Sequence, residues 1–249
     1  MKTDVELNLL KEIDALKRKL SVLKESDSPS IPTYQYSKIR ESDLKTLFDI
    51  EKKLSTNKFD AWFNNKINLN SVTIDFLQNL IEQNRGLIDD YNEEDLKIYL
   101  ISPLLNRINF ILKDKEIRGF YELPMRYSTE KFILNGTVDF VISKGLFQSK
   151  KPYFFIQEFK RSEEYGNPRP QLLAELISAI ELNHWNYIKG AYVIGGNWHF
   201  VILEKLKTAK YHYFISENFD ATKIDDLILI YKNLVFIKNE IINERGSST

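Results

Sequence analysis

Glu158 and Lys160 stand two residues apart at the close of the run Tyr153-Phe154-Phe155-Ile156-Gln157-Glu158-Phe159-Lys160. The run reads as a buried β-strand, in which residues two apart point to one face, roughly 6–7 Å from each other. Glu158 and Lys160 then share the face of Phe154 and Ile156, where charge is costly unless paired or bound to a metal. Either the strand end reaches solvent, or it delivers a carboxylate and an ammonium to a site. Asp139 comes earlier, in the strand Thr137-Val138-Asp139-Phe140-Val141-Ile142. Two strands joined by the 145–152 loop can pair in one sheet and set Asp139 beside Glu158. An Asp soon after Asn135-Gly136 is also an ordinary turn residue. Two close carboxylates repel unless a cation lies between them. Oxygen ligands without His or Cys suit Mg²⁺ or Mn²⁺, and the Phe159 carbonyl offers one more oxygen. A cation held there polarises a phosphoryl oxygen and lowers the pKa of a bound water. Lys160 would stabilise the developing negative charge or position that water.

The elements that must position these residues follow from periodicity. Residues 117–122, 132–134, 137–143, 153–160, 190–195, 198–204 and 211–216 are predicted strands, rich in Phe, Tyr, Ile and Val. Asn135-Gly136 predicts a tight turn and Gly195-Gly196-Asn197 a hairpin. Helices are predicted over 169–185, with Leu172, Leu173, Leu176, Ile177 and Ile180 on one face, and over 225–243. From Glu41 to Arg85 the period is helical, with Ser71 as a cap, and Ile50 falls on one apolar stripe. Asn92 is a good N-cap for a helix whose first turn is acidic, and Pro103 should kink or split that helix. Alternating strands and helices give an α/β or α+β plan with a mixed sheet.

Leu9, Ile13, Leu16, Leu20 and Leu23 form a short heptad seam over residues 1–25, either a helix packed on its own domain or a short coiled coil joining a homodimer. Residues 26–40 read as a linker, 41–88 as a helical region and 89–249 as the domain that carries the chemistry. The chain's 249 residues hold 35 basic and 35 acidic side chains, so no global field draws in nucleic acid or membrane and a polyanion needs a local patch. Lys144, Lys150, Lys151, Lys160, Arg161 and Arg169 supply such an excess in sequence. The polar loop 162–168 would border the cleft. There is no cysteine, no apolar run of ~20 residues and no signal-peptide pattern, which reads as a cytoplasmic protein without a membrane partner. His184, His199 and His212 lack ligand spacing.

Asp139 followed by Glu158-Phe159-Lys160 after an apolar strand resembles the signature of the PD-(D/E)XK nuclease superfamily, with Val138 where the family has proline. Asn92-Glu93-Glu94-Asp95-Leu96-Lys97 running into Leu100-Ile101-Ser102-Pro103-Leu104-Leu105 is similar to the opening helix of the nuclease domain in type I restriction subunits. Gln171, in Arg169-Pro170-Gln171-Leu172-Leu173, is similar to the Gln opening the family's next helix. Gly195-Gly196-Asn197-Trp198 resembles its later strand pair. The likeness spans about residues 90–205. It implies a restriction endonuclease-like mixed central sheet flanked by helices, here with an N-terminal helical extension. It implies a Mg²⁺-dependent phosphodiesterase acting on nucleic acid, DNA foremost. Asp139, Glu158 and Lys160 would form the catalytic core, with Gln171 in support and Glu93 (Glu94 as the alternative) assisting the metal. The competing expectation is a nucleic-acid-binding or oligomeric scaffold module of the same fold without catalysis.

Overall fold

The computed structural model describes residues 12, 13, 16, 31–55, 57–161 and 167–243. The chain divides into two units, Met1–Pro32 and Thr33–Thr249. In the first, Glu12, Ile13 and Leu16 are helical. The rest of the expected coil over 1–25, residues 26–30 of the expected linker and residues 162–166 of the expected cleft loop lie outside the described residues.

The second unit is an α/β fold around a mixed nine-stranded sheet. Its strands are β1 (Thr33–Gln35), β2 (Asp49–Lys52), β3 (Ile117–Ser128), β4 (Ile133–Lys144), β5 (Lys150–Lys160), β6 (Tyr187–Ile194), β7 (Asn197–Lys207), β8 (Lys210–Ile215) and β9 (Phe219–Asp220). They run in the order β1-β4-β5-β6-β7-β8-β2, with β3 also on β4 and β9 on β7. β3, β4 and β5 are antiparallel neighbours, as are β6, β7 and β8. β5 and β6 are parallel, so a crossover must join them, and helix α6 (Pro168–Asn183) makes it. The remaining helices are α1 (Glu41–Leu47), α2 (Asp60–Phe63), α3 (Ser71–Asn84), α4 (Glu93–Leu96), α5 (Ser102–Ile108) and α7 (Ile224–Asn243).

Burial on both faces explains why the central strands read as near-continuous apolar runs. On one face Leu172, Leu176 and Ile177 of α6 share a core with Val141, Ile156 and Val201. On the other, Leu77, Leu104 and Leu234 of α3, α5 and α7 share a core with Phe155, Phe159 and Phe200. No helix among the described residues is long and apolar enough to cross a membrane.

Several local expectations change. Asp49–Lys52 is not helical: it pairs in parallel with β8, and Ile50 is buried there. A four-residue strand whose partner is distant in sequence leaves little local signal. Thr33–Gln35, inside the expected linker, pairs in parallel with β4, and the next residue, Tyr36, is fully buried. The cap of α3 is Asn70, whose side chain accepts the Thr73 N–H, rather than Ser71. Asn135-Gly136 lies inside β4 and is no turn. Gly136 has φ +153°, and a Cβ there would come within 2.9 Å of the Tyr36 ring, so the glycine serves close approach. Pro103 falls in the first turn of α5, where its missing N–H costs least, directly after a π-helical stretch, Lys97–Ile101.

Candidate active site

β4 and β5 pair from Lys144 opposite Lys150 to Phe140 opposite Gln157. Beyond that the ladder stops and side chains take over. The Asp139 N–H donates to Glu158 Oε1 at 3.2 Å, and the Phe159 N–H donates to Asp139 Oδ2 at 2.8 Å. The two carboxylates are thus locked at a fork between two strands, on backbone that has exchanged ladder bonds for side-chain acceptors. Tyr36 packs against Gly136 nearby and donates its hydroxyl to Ser178 Oγ of α6 at 2.8 Å.

Glu158 is fully buried. Its Oε2 accepts Gln171 Nε2 at 2.8 Å, and the same amide reaches Glu175 Oε1 at 3.2 Å. Burial pushes Glu158 well above the usual carboxylate range, and the charges of Glu175 and Asp139 push it further. Burial also raises Glu175, against the opposing hydrogen bonds of Glu158 and Gln171. Glu175 Oε2 meets no hydrogen-bond partner among the described residues.

Glu93 enters from the first turn of α4, whose N-cap Asn92 forms a reciprocal capping box with Asp95. Lys160 Nζ lies 3.4 Å from both Glu93 oxygens. Glu94 instead reaches Lys97 Nζ, at 3.6 Å. Lys97 is the ammonium on Asp139, 3.3 Å from Oδ1, and it also binds Glu122 Oε1 at 2.7 Å.

The fold therefore gathers Asp139, Glu158, Lys160, Glu93 and Gln171, with the Phe159 N–H bound to Asp139. It adds Lys97, Glu122 and Glu175, which sequence reasoning missed. Glu175 and Lys97 left faint signals. Each stands one helical turn, four positions, after a residue already singled out, Gln171 and Glu93 respectively. Glu122 left none, because its place opposite Asp139 depends on the β3–β4 register.

Three of the expected basic residues do not gather there. Lys144, Lys150 and Lys151 sit at the far end of the β4–β5 hairpin. Lys144 is five residues from Asp139, about 16 Å along the strand, and its Nζ donates to the Lys115 carbonyl at 2.7 Å. The hairpin tip exposes Phe147 (94%) beside a cavity of 560 Å³ lined also by Lys144, Lys150 and Lys151. Arg169 pairs with Glu41 at 2.9 Å. Arg161 directly follows Lys160, beyond the end of β5.

Asp139, Glu158 and the Phe159 carbonyl are hard oxygen donors of the kind Mg²⁺ or Mn²⁺ takes. Among the described residues no three His, Asp or Glu side chains converge as a ready-made cation cage. Two carboxylates and a carbonyl still suit Mg²⁺, which keeps several waters and completes its shell with substrate phosphate. Burial and the neighbouring Glu175 and Asp139 disfavour the ionised form of Glu158, and a cation bound there would favour it. No protein-family model and no curated protein matches the chain.

Proposed function

We propose that the protein is a metal-dependent nuclease of the restriction endonuclease-like fold, hydrolysing phosphodiester bonds of nucleic acid, with DNA the first substrate to test. The observation that carries this is the fork itself. Asp139 and Glu158 meet where β4 and β5 part, with Lys160 two residues on. A divalent cation held by Asp139, Glu158 and the Phe159 carbonyl would supply Lewis acidity and a more acidic water. Gln171 fixes the Glu158 carboxylate, and the Phe159 N–H fixes Asp139 by Oδ2. Glu93 holds the Lys160 ammonium near these acids, where it can stabilise negative charge developing on a phosphate. A cysteine-free chain suits a reducing cytoplasm.

Cleavage of plasmid and single-stranded DNA with Mg²⁺ tests this, beside Lys160→Ala and Asp139→Ala. Each substitution should lower the rate by about 10²–10³ or more. Cleavage by both variants at the parent rate sinks the assignment. The exposed basic hairpin, remote from the fork, favours a second reading, a binding module that does not cut. DNA affinity without any Mn²⁺ binding by calorimetry would select it.

A further inference from the structure

Lys97 carries a buried charge that the proposed reaction does not use. It opens the π-helical stretch after α4 and is 8% exposed. Inserted π turns recur at functional sites, because they re-aim one side chain without breaking the helix. Here the re-aimed side chain enters a ring of four carboxylates: Glu122 at 2.7 Å, Asp139 at 3.3 Å, Glu94 at 3.6 Å and Glu93 at 3.8 Å. Burial pushes this ammonium down, but Glu122 and Asp139 raise it well above the usual lysine value, so it stays charged.

Glu122 is unusual in its own right. Its φ is +49°, a left-handed backbone that costs a side-chain-bearing residue energy and persists only where its surroundings hold it. The β3–β4 register runs from Tyr121 opposite Phe140 to Leu123 opposite Val138 and skips the step at which Glu122 faces Asp139. Glu122 and Glu94 are the exposed members of the ring, 57% and 73% by side chain, whereas Asp139 is buried. The ring thus offers one ammonium an inner and an outer seat.

A divalent cation on Asp139 would stand about 2.0–2.1 Å from a carboxylate oxygen. An ammonium already on that carboxylate opposes it by like charge. We propose that Lys97 is a positioning residue for this site: its ammonium holds Asp139 while no divalent cation is bound, and withdraws to Glu122 and Glu94 when one enters. The inference rests on the metal-dependent reading above. Linkage makes the competition reciprocal, so removing Lys97 must strengthen cation binding.

Calorimetric titration of the full chain with Mn²⁺ tests this, beside Lys97→Met and Glu122→Gln, with melting curves on all three. Lys97→Met keeps the apolar stem, removes the competitor and should bind Mn²⁺ about tenfold more tightly, within the usual span of such couplings. Glu122→Gln removes the main outer seat, leaves the ammonium on Asp139 and should weaken binding several-fold. A role for Lys97 in fold stability alone would not move the two affinities in opposite directions. If Lys97→Met fails to fold, the exposed Glu122→Gln decides by itself. Unchanged or weaker binding by Lys97→Met, or unchanged or tighter binding by Glu122→Gln, overturns the proposal and leaves the metal reading standing. No heat from any of the three proteins overturns both.

Discussion

Glu158 and Glu175 are two acids walled off from water on one amide, Gln171. Burial raises both pKa values, so each binds a proton more tightly folded than unfolded. A raised folded pKa contributes stability below the unfolded value, near 4.3 for Glu, and that stability is lost as pH climbs through the folded value. The protein should therefore lose stability from mildly acidic towards alkaline pH. Glu175→Gln keeps the shape and removes one titration. Its melting temperature should match the parent at pH 4 and exceed it at pH 8, by roughly 2–4 °C for each kcal/mol recovered. Thermal melts at the two pH values check this, and a gain independent of pH would clear the pair of responsibility. Glu158 stays so deep because its carboxylate accepts the Asp139 N–H, while the next N–H, that of Phe159, is bound by Asp139, contacts which no exposed strand end would offer.

At the scale of elements, the site depends on where β4 loses a partner. β1 pairs only with 133–135 of β4, and β5 begins to pair only at Phe140. Tyr36 packs into this stretch against Gly136, and its hydroxyl ties it to α6, the helix that carries Gln171 and Glu175. Gly136→Ala puts a methyl 2.9 Å from the Tyr36 ring on backbone that L residues rarely adopt. Overpacking of this kind costs about 1–3 kcal/mol. A chemical-denaturation midpoint should fall accordingly, and an unchanged midpoint would mean that the ring yields freely. The turn signal in Asn135-Gly136 failed here because tertiary contact, not local chain reversal, uses the glycine's missing side chain. The helical signal around Ile50 failed for a related reason: β8, far along the chain, supplies the partner that makes Asp49–Lys52 a strand.

For the whole molecule, equal numbers of basic and acidic side chains mean that affinity for a polyanion must come from patches. The exposed Lys150 and Lys151 beside Phe147 form one at the far end of the hairpin. A lysine that neutralises one phosphate adds about 0.9 to the salt slope of duplex binding. Lys150→Ala with Lys151→Ala should thus reduce that slope by about 2 and leave the melting temperature unchanged. Anisotropy titrations over a range of salt measure it, and an unaltered slope would remove the hairpin from the nucleic-acid surface.

By itself the sequence determined the alternation of strands and helices, the mixed sheet and the pairing of Asp139 with Glu158-Phe159-Lys160. These rest on local periodicity and on residues two apart in one strand, which the chain expresses without help from distant segments. Glu93 and Gln171 were singled out by the family resemblance, and only Glu93 also stood behind a marked cap, Asn92. Only the tertiary structure decided that Lys97 sits on Asp139, that Glu122 faces it from β3, and that Glu175 shares the Gln171 amide. It also carried the lysines of the β4–β5 hairpin away from the fork, since antiparallel strands turn nearness in sequence into distance along the sheet. Each of these outcomes is set by register and packing between segments far apart in the chain, which no window of sequence contains.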